Sequence, residues 1–162
     1  MFKGLKGLFG GKEKDVIGAP VCGKAIPMSQ VNDPTFSQEI LGKGVAIIPE
    51  KGRVVAPVDG IVTMVFDTKH AISMQGDNGV ELIIHIGLDT VELKGEHFTA
   101  LINAGERVKK GTPLLDFDME KIKAAGYDVV TPVIVCNTPN FPDMVCKTGM
   151  DVQEGDTIIE LN

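Results

Sequence analysis

The 162-residue sequence predicts an all-β protein: an antiparallel, internally duplicated β-sandwich or barrel with very little helix. Three observations carry this. First, 19 glycines and 9 prolines recur at short intervals between apolar runs, which is the punctuation of many short strands. Second, Ala19-Pro20-Val21-Cys22-Gly23 returns as Ala56-Pro57-Val58-Asp59-Gly60 and, more faintly, as Thr131-Pro132-Val133. Third, residues 104–115 and 148–159 share one frame: Gly105 and Gly149, then Val108 and Val152, then Gly111 and Gly155, then two aliphatics. Glycines at fixed offsets mark turns, and the aliphatics mark the strand that follows. Two copies argue for a compact duplicated domain rather than a solenoid.

Taken in order, residues 1–15 read as a tail ahead of a domain at residues 16–162. Phe2, Leu5, Leu8 and Phe9 fall at helical spacing with Lys3 and Lys6 elsewhere on the turn, before Gly10-Gly11 breaks the pattern. The stretch is short and glycine-rich, so a frayed tail with at most weak contact to anionic lipid is expected. Residues 33–40 suit one helical turn capped by Asp33 or Thr35. Strands are expected at residues 44–48, 53–56, 61–66, 128–135 and 157–161. A short helix is expected after Asp118, its N-cap, and ends at Gly126.

Between these lies a hairpin. HAISMQ and VELIIHIG flank Gly76-Asp77-Asn78-Gly79, a turn rich in residues that tolerate positive φ. With Asp77-Asn78 as a two-residue loop, His70 falls directly opposite His85, with Cβ atoms about 4.5–5.5 Å apart. Closing on Asn78-Gly79 shifts the register by two and makes the pair diagonal neighbours. Leu82, Ile84, Ile86 and Leu88 form the core side of the second strand. Ile83, His85 and Gly87 then face outward, and His70, Ile72 and Met74 join them from the first strand. Asp67-Thr68-Lys69 reads as a turn that leaves the Thr68 hydroxyl near the His70 ring.

A formal net charge of −6 argues against nonspecific nucleic-acid binding. Cys22, Cys136 and Cys146 show no CxxC spacing, and no signal peptide or membrane-length apolar run is evident, so free thiols in a cytoplasmic protein are expected. No GxxxxGK[ST], GxGxxG or GxSxG template applies. His97, in a charged glycine-containing loop, reads as a solvated histidine.

The paired histidines admit three readings. One is a surface pair without function. Another is a zinc site with His70 and His85 as two ligands, which needs further donors that only Glu81 approaches. The last is a nucleophile with its helper: one neutral imidazole attacks an electrophile and the other donates a hydrogen bond to the developing anion. Phosphoryl transfer fits the last, because it asks mainly for positioning and charge stabilisation.

The stretches Val55-Ala56-Pro57-Val58-Asp59-Gly60, Thr68-Lys69-His70-Ala71 and residues 79–95, whose core at 79–93 reads G-V-E-L-x-x-H-x-G-x-D-T-V-x-L, closely resemble the glucose-type enzyme IIA of the bacterial phosphoenolpyruvate-dependent sugar phosphotransferase system. The resemblance covers the body from Ile17 onward. It implies a β-sandwich with a duplicated hybrid motif and a phosphotransferase component that carries a covalent phosphohistidine. His85 would carry the phosphoryl group on Nε2, His70 would stabilise the phosphate, and Thr68 would orient His70. Backbone N–H groups near Gly87 and Asp89 would assist. Phe36, Ile40, Phe66, Ile83, Gly87, Asp89 and Val91 would form the docking surface, with ordinary burial expected for at least one of the apolar members. The implied partners are HPr as donor, a cysteine of glucose-type enzyme IIB as acceptor, and regulatory targets bound according to phosphorylation state. No cofactor is required, although a partner carboxylate could complete zinc around His70 and His85. A free-standing length with no attached IIB or IIC region is expected, which would leave room for use by several permeases.

Overall fold

The structure is a computed structural model that describes residues 15–162. The Phe2, Leu5, Leu8 and Phe9 pattern predicted for the tail lies outside the described residues.

Fourteen short strands are described: β1 (Val16–Gly18), β2 (Gly23–Pro27), β3 (Lys43–Pro49), β4 (Arg53–Val55), β5 (Gly60–Val65), β6 (Ala71–Gly76), β7 (Glu81–His85), β8 (Phe98–Ala100), β9 (Arg107–Val108), β10 (Pro113–Phe117), β11 (Thr131–Val135), β12 (Val145–Cys146), β13 (Met150–Val152) and β14 (Thr157–Glu160). Eight form one sheet in the order β13-β2-β3-β11-β7-β6-β5-β9, and β1-β14-β12 and β4-β10-β8 form two smaller sheets. The two α-helices among the described residues are short: α1 (Pro34–Ser37) and α2 (Met119–Ala124). The all-β prediction therefore holds. Asp33, rather than Thr35, caps α1, its carboxylate accepting from Thr35 N at 3.0 Å. Asp118 caps α2 by accepting from Lys121 N at 3.1 Å, and Gly126, at φ 97°, follows its end.

The duplication seen in the sequence is a pseudo-twofold in the structure. Gly18 N donates to Pro57 O at 3.0 Å, and Val55 N to Pro20 O at 2.8 Å, so the two Ala-Pro-Val turns clasp each other reciprocally. The glycine-framed units then pair with these turns. Gly155 N bonds Ala19 O as Gly111 N bonds Ala56 O, and Gly149 N bonds Ala25 O as Gly105 N bonds Val62 O. Gly105, Gly111, Gly149 and Gly155 have φ between 86° and 93°, with open space where a Cβ would stand. The left-handed backbone, not crowding, requires glycine there.

The large sheet is consequently palindromic. β13 corresponds to β9, β2 to β5, β3 to β6 and β11 to β7, with the axis between β11 and β7, where Val133 pairs with Ile84. This corrects the third, faint echo. Thr131-Pro132-Val133 lies within β11, pairing along β3 with Pro132 opposite Ala46, and is no copy of the Ala-Pro-Val turn. Strand β11 also starts later than predicted. Residues 128–130 instead run beside the loop after β7, where Asp128 O and Val130 O accept from Leu88 N and Gly87 N.

The main core fills the space between the sheets with Ile17, Ile47, Ile72, Met74, Leu82, Ile84, Ile86, Leu114, Leu115 and Ile158 among others. A second cluster on the other face of the large sheet contains Ile26, Met28, Val31, Phe36, Ala46, Leu88, Val130 and Ile134. It exists because residues 28–42, between β2 and β3, fold back over β11. The corresponding connection between β5 and β6 is only residues 66–70.

Candidate functional site

The hairpin joining β6 and β7 differs from the prediction by one residue of register. Ala71, not His70, pairs with His85, followed inward by Ile72 with Ile84 and Met74 with Leu82. The loop has three residues, not two: Gly76 N bonds Val80 O, and Gly79, at φ 88°, supplies the left-handed residue of a bulged turn. A slip of one exchanges the faces of a strand. Ile72 and Met74, expected outside with the histidines, are therefore fully buried in the main core. The outer face of β6 is Ala71, Ser73 and Gln75.

The two imidazoles nevertheless meet, because His70 lies just before the strand and does not follow its alternation. The turn predicted at Asp67-Thr68-Lys69 is present, closed by Lys69 N to Phe66 O at 2.7 Å, with Lys69 itself at φ 59°. It swings the His70 ring beside that of His85, with centroids 4.9 Å apart and planes at 82°. His70 is 6% exposed and is among the few buried polar residues. Its Nδ1 is 2.6 Å from the Thr68 hydroxyl. If Thr68 donates, the His70 proton sits on Nε2, which is then the donor facing the site.

His85 is held by its own strand exit. Its Nδ1 lies 2.8 Å from Gly87 O. A carbonyl can only accept, so Nδ1 carries the proton and Nε2 keeps a free lone pair. Gly87 is at φ 81°, and a Cβ there would meet the Thr90 methyl at 2.5 Å and Asp128 O at 2.7 Å. Burial pushes the His85 pKa down to about 4, helped by the neighbouring His70 and opposed by the Gly87 carbonyl and the Asp33 and Asp89 carboxylates. Burial also lowers that of His70. Both rings are thus neutral near pH 7, as a nucleophile and a neutral donor require.

Two aromatic rings wall the pair. Phe36 stands 4.9 Å from the His85 ring centroid, and Phe66 stands 5.5 Å from that of His70. Of the predicted docking residues, Phe36 and Gly87 are buried, Phe66 and Ile83 are half-buried, and Ile40 (66%), Val91 (44%) and Asp89 are exposed. The backbone help expected near Gly87 is spent: Gly87 N and Leu88 N already donate to Val130 O and Asp128 O. Sequence reasoning assigned no part in the site to Asp33, Asp128 or Thr90. Asp33 stood out only as a helix cap, and Thr90 only as a letter of the motif. His97 lies in the turn before β8, at φ 75°, with its carbonyl accepting from Asp118 N. Among the described residues no three His, Cys, Asp or Glu side chains gather as a metal site. Cys22, Cys136 and Cys146 are free thiols, and no described helix is long and apolar enough to cross a membrane.

Residues 15–141 match the family described as the phosphoenolpyruvate-dependent sugar phosphotransferase system, EIIA 1. The chain is 49% identical over 149 residues to the beta-glucoside-specific EIIBCA component of Bacillus subtilis, spanning 92% of this chain and 24% of that protein. It is 45% identical over 159 residues to the glucose-specific EIIA component of Oceanobacillus iheyensis, spanning 96% of each. The chain thus spans about a quarter of the length of the beta-glucoside relatives it matches, that of Halalkalibacterium halodurans included (23%). The solved glucose permease IIA from Mycoplasma capricolum superposes with a TM-score of 0.81 at 33% identity, over 91% of this chain and 95% of that one. With this sheet order, this duplication and this histidine pair, the chain belongs to the EIIA family of the sugar phosphotransferase system, in its glucose-type branch.

Proposed function

We propose that this phosphotransferase component takes a phosphoryl group from the phosphohistidine of HPr onto His85 Nε2 and passes it to a cysteine of an enzyme IIB domain during sugar uptake. The observation that carries the reading is the Nδ1–H to Gly87 O bond, which leaves Nε2 as the one nucleophilic nitrogen of a ring kept neutral by burial. In the first transfer the donor's P–N bond breaks as the P–Nε2 bond forms in line. In the second the P–Nε2 bond breaks as sulfur takes the phosphorus. His70, oriented by Thr68, donates from Nε2 to a phosphoryl oxygen as charge moves onto it. Phe36 and Phe66 keep water from the P–N bond. Exposed Ile40 and Val91 offer a sequence-tolerant apolar rim to two different partners, and Asp89 adds charge for a basic donor.

The names of the relatives, beta-glucoside-specific and glucose-specific, leave two candidate sugars, and a relay with IIB domains of each class discriminates between them. Incubation with phosphoenolpyruvate, enzyme I and HPr is expected to label the wild-type chain on His85. An unlabelled wild type would sink the carrier reading. His70→Ala is expected to slow transfer to IIB more than acceptance from HPr. A second use of the same pair follows from its spacing: two imidazoles 4.9 Å apart supply two of the four ligands of zinc, and a partner carboxylate would have to add to them. Zinc-dependent tightening of a complex, lost in His70→Ala, tests it.

A further inference from the structure

We infer that Thr90 is the positioning residue that sets the protonation of His85, acting through the Gly87 carbonyl without touching phosphate. Thr90 is completely buried although it is polar, and it sits one residue beyond Asp89, whose φ of 59° turns the chain out of β7. Its hydroxyl donates to Ile86 O, and the Ile86 N–H donates to His70 O at 2.7 Å. The Ile86 residue is therefore tied on one side to the helper histidine and on the other to Thr90. The next carbonyl, Gly87 O, is the one that accepts from His85 Nδ1.

Four bonds hold the backbone of residues 86–88: Ile86 N to His70 O, Thr90 Oγ1 to Ile86 O, Gly87 N to Val130 O and Leu88 N to Asp128 O. Thr90 supplies the only one of these four made by a side chain, and the fifth bond to the segment, His85 Nδ1–H to Gly87 O, is the one they position. The Thr90 methyl also occupies the place a Gly87 Cβ would need, 2.5 Å from it. Hydroxyl and methyl thus act on adjacent peptides. One anchors the carbonyl before Gly87, and the other closes the space that would let the glycine turn its own carbonyl away. The Gly87 carbonyl shares its peptide with Leu88 N–H, which Asp128 O holds, so Thr90 acts together with that bond; a Gly87 carbonyl tilted aside would release His85 Nδ1 and let the proton move to Nε2, the atom that must attack.

The inference rests on the phosphocarrier reading for its consequence but not for its geometry, and the test keeps the two apart. Nitrogen-15 spectra of the His85 ring in the unphosphorylated full chain read its tautomer directly, with no partner present. Thr90→Val keeps the shape and removes the donor, and Thr90→Ser keeps the donor and removes the methyl. The wild type is expected to show the Nδ1–H form. Thr90→Val is expected to show a mixture with Nε2–H, and Thr90→Ser to stay mainly Nδ1–H. In the HPr relay, Thr90→Val is expected to lose about tenfold in kcat at nearly unchanged KM, the low end of the loss when outer-shell partners of metal-binding histidines are removed. Thr90→Ser is expected to recover most of that loss. If folded Thr90→Val shows the wild-type tautomer and kcat with only a lower Tm, Thr90 is structural and the inference falls. If Thr90→Val does not fold, the Thr90→Ser spectrum decides: a shift to Nε2–H comparable to that of a Gly87→Ala chain overturns the role given to the hydroxyl. A wild type with the Nδ1–H tautomer but no labelling would overturn the carrier reading and leave this one standing.

Discussion

The two halves of the large sheet share a backbone plan and differ in what covers them. Under the pseudo-twofold, Ala71 opposite His85 corresponds to Gly44 opposite Ile134. His70 then corresponds to Lys43, and Gly87 to Cys136. Even the bonds match: Gly87 N donates to Val130 O at 2.9 Å, and Cys136 N to Glu81 O at 2.8 Å. In the β11 half, residues 28–42 lie over the outer face, so the position equivalent to His85 is a buried isoleucine in a closed apolar cluster. In the β7 half the connection is short and the face stays open, so a polar ring can be half-buried and still be reached. The long connection also serves the opposite half, since Phe36 belongs to the cluster around Ile134 and stands against the His85 ring. One insertion thus seals one copy and walls the other.

Transplanting the proposed nucleophile is the hardest test of that contrast. His85→Ala is expected to abolish labelling from phospho-HPr, and adding Ile134→His to it is expected to restore none. Labelling at position 134 would show that covering does not distinguish the halves. Ile134→His alone is expected to cost roughly 1–3 kcal/mol in urea unfolding, because an imidazole would be buried there without a partner.

Phe36→Ala attacks both halves at once. A loss of roughly 3–5 kcal/mol is typical of a buried phenylalanine, and calorimetry or urea titration would measure it. The His85 pKa, read by NMR, is expected to climb from about 4 toward its ordinary value as water reaches the ring, since burial is the largest cause of its depression. An unmoved value would detach Phe36 from the site.

The pH dependence follows with a definite sign. His85 stays unprotonated until pH falls to about 4, so phosphoryl acceptance should be level through neutrality and fall only near that value. Unfolding releases the ring to an ordinary imidazole pKa, so the unfolded chain binds the extra proton first. Stability contributed by neutral His85 is therefore present above about 6.5 and lost as pH falls toward 4, as urea midpoints between those limits would record. His85→Ala should flatten that slope.

The smallest effect is expected at the hairpin tip. Arg107 Nη1 meets Asp77 Oδ1 at 2.9 Å, and both side chains are more than half exposed. Arg107→Ala should change stability by less than about 1 kcal/mol and leave labelling intact. A larger loss would mean that the ion pair, rather than the Gly79 turn, sets the register that carries His85.

Much of the molecule is readable without coordinates. Glycine frames, the two Ala-Pro-Val turns and the Asp118 cap are local devices, each dictated by backbone conformation, and each appears as read, while of the two caps offered for α1 the structure takes Asp33. The alternation that put Leu82, Ile84 and Ile86 inside is equally local, and it placed His85 outward. The register of the hairpin was not readable, because Gly76-Asp77-Asn78-Gly79 can close with two residues or three and nothing within the tetrapeptide chooses. The choice comes from burial, since the three-residue loop turns Ile72 and Met74 into the core. The same limit hid Asp33 and Asp128, whose parts depend on segments brought together from far along the chain, whereas Thr90 acts on Ile86 only four residues back and was hidden because the path of the loop after β7 is not written in its letters.

By itself, then, the sequence determined the duplicated all-β plan, the outward face of His85 and the Thr68–His70 turn, because each follows from conformational preferences of a few adjacent residues. Only the tertiary structure decided that His70 escapes its strand to meet His85, that Phe36 from the other half walls them, and that one of two equivalent positions stays open. Those outcomes depend on packing between segments remote in sequence, where burial rather than local preference selects the arrangement.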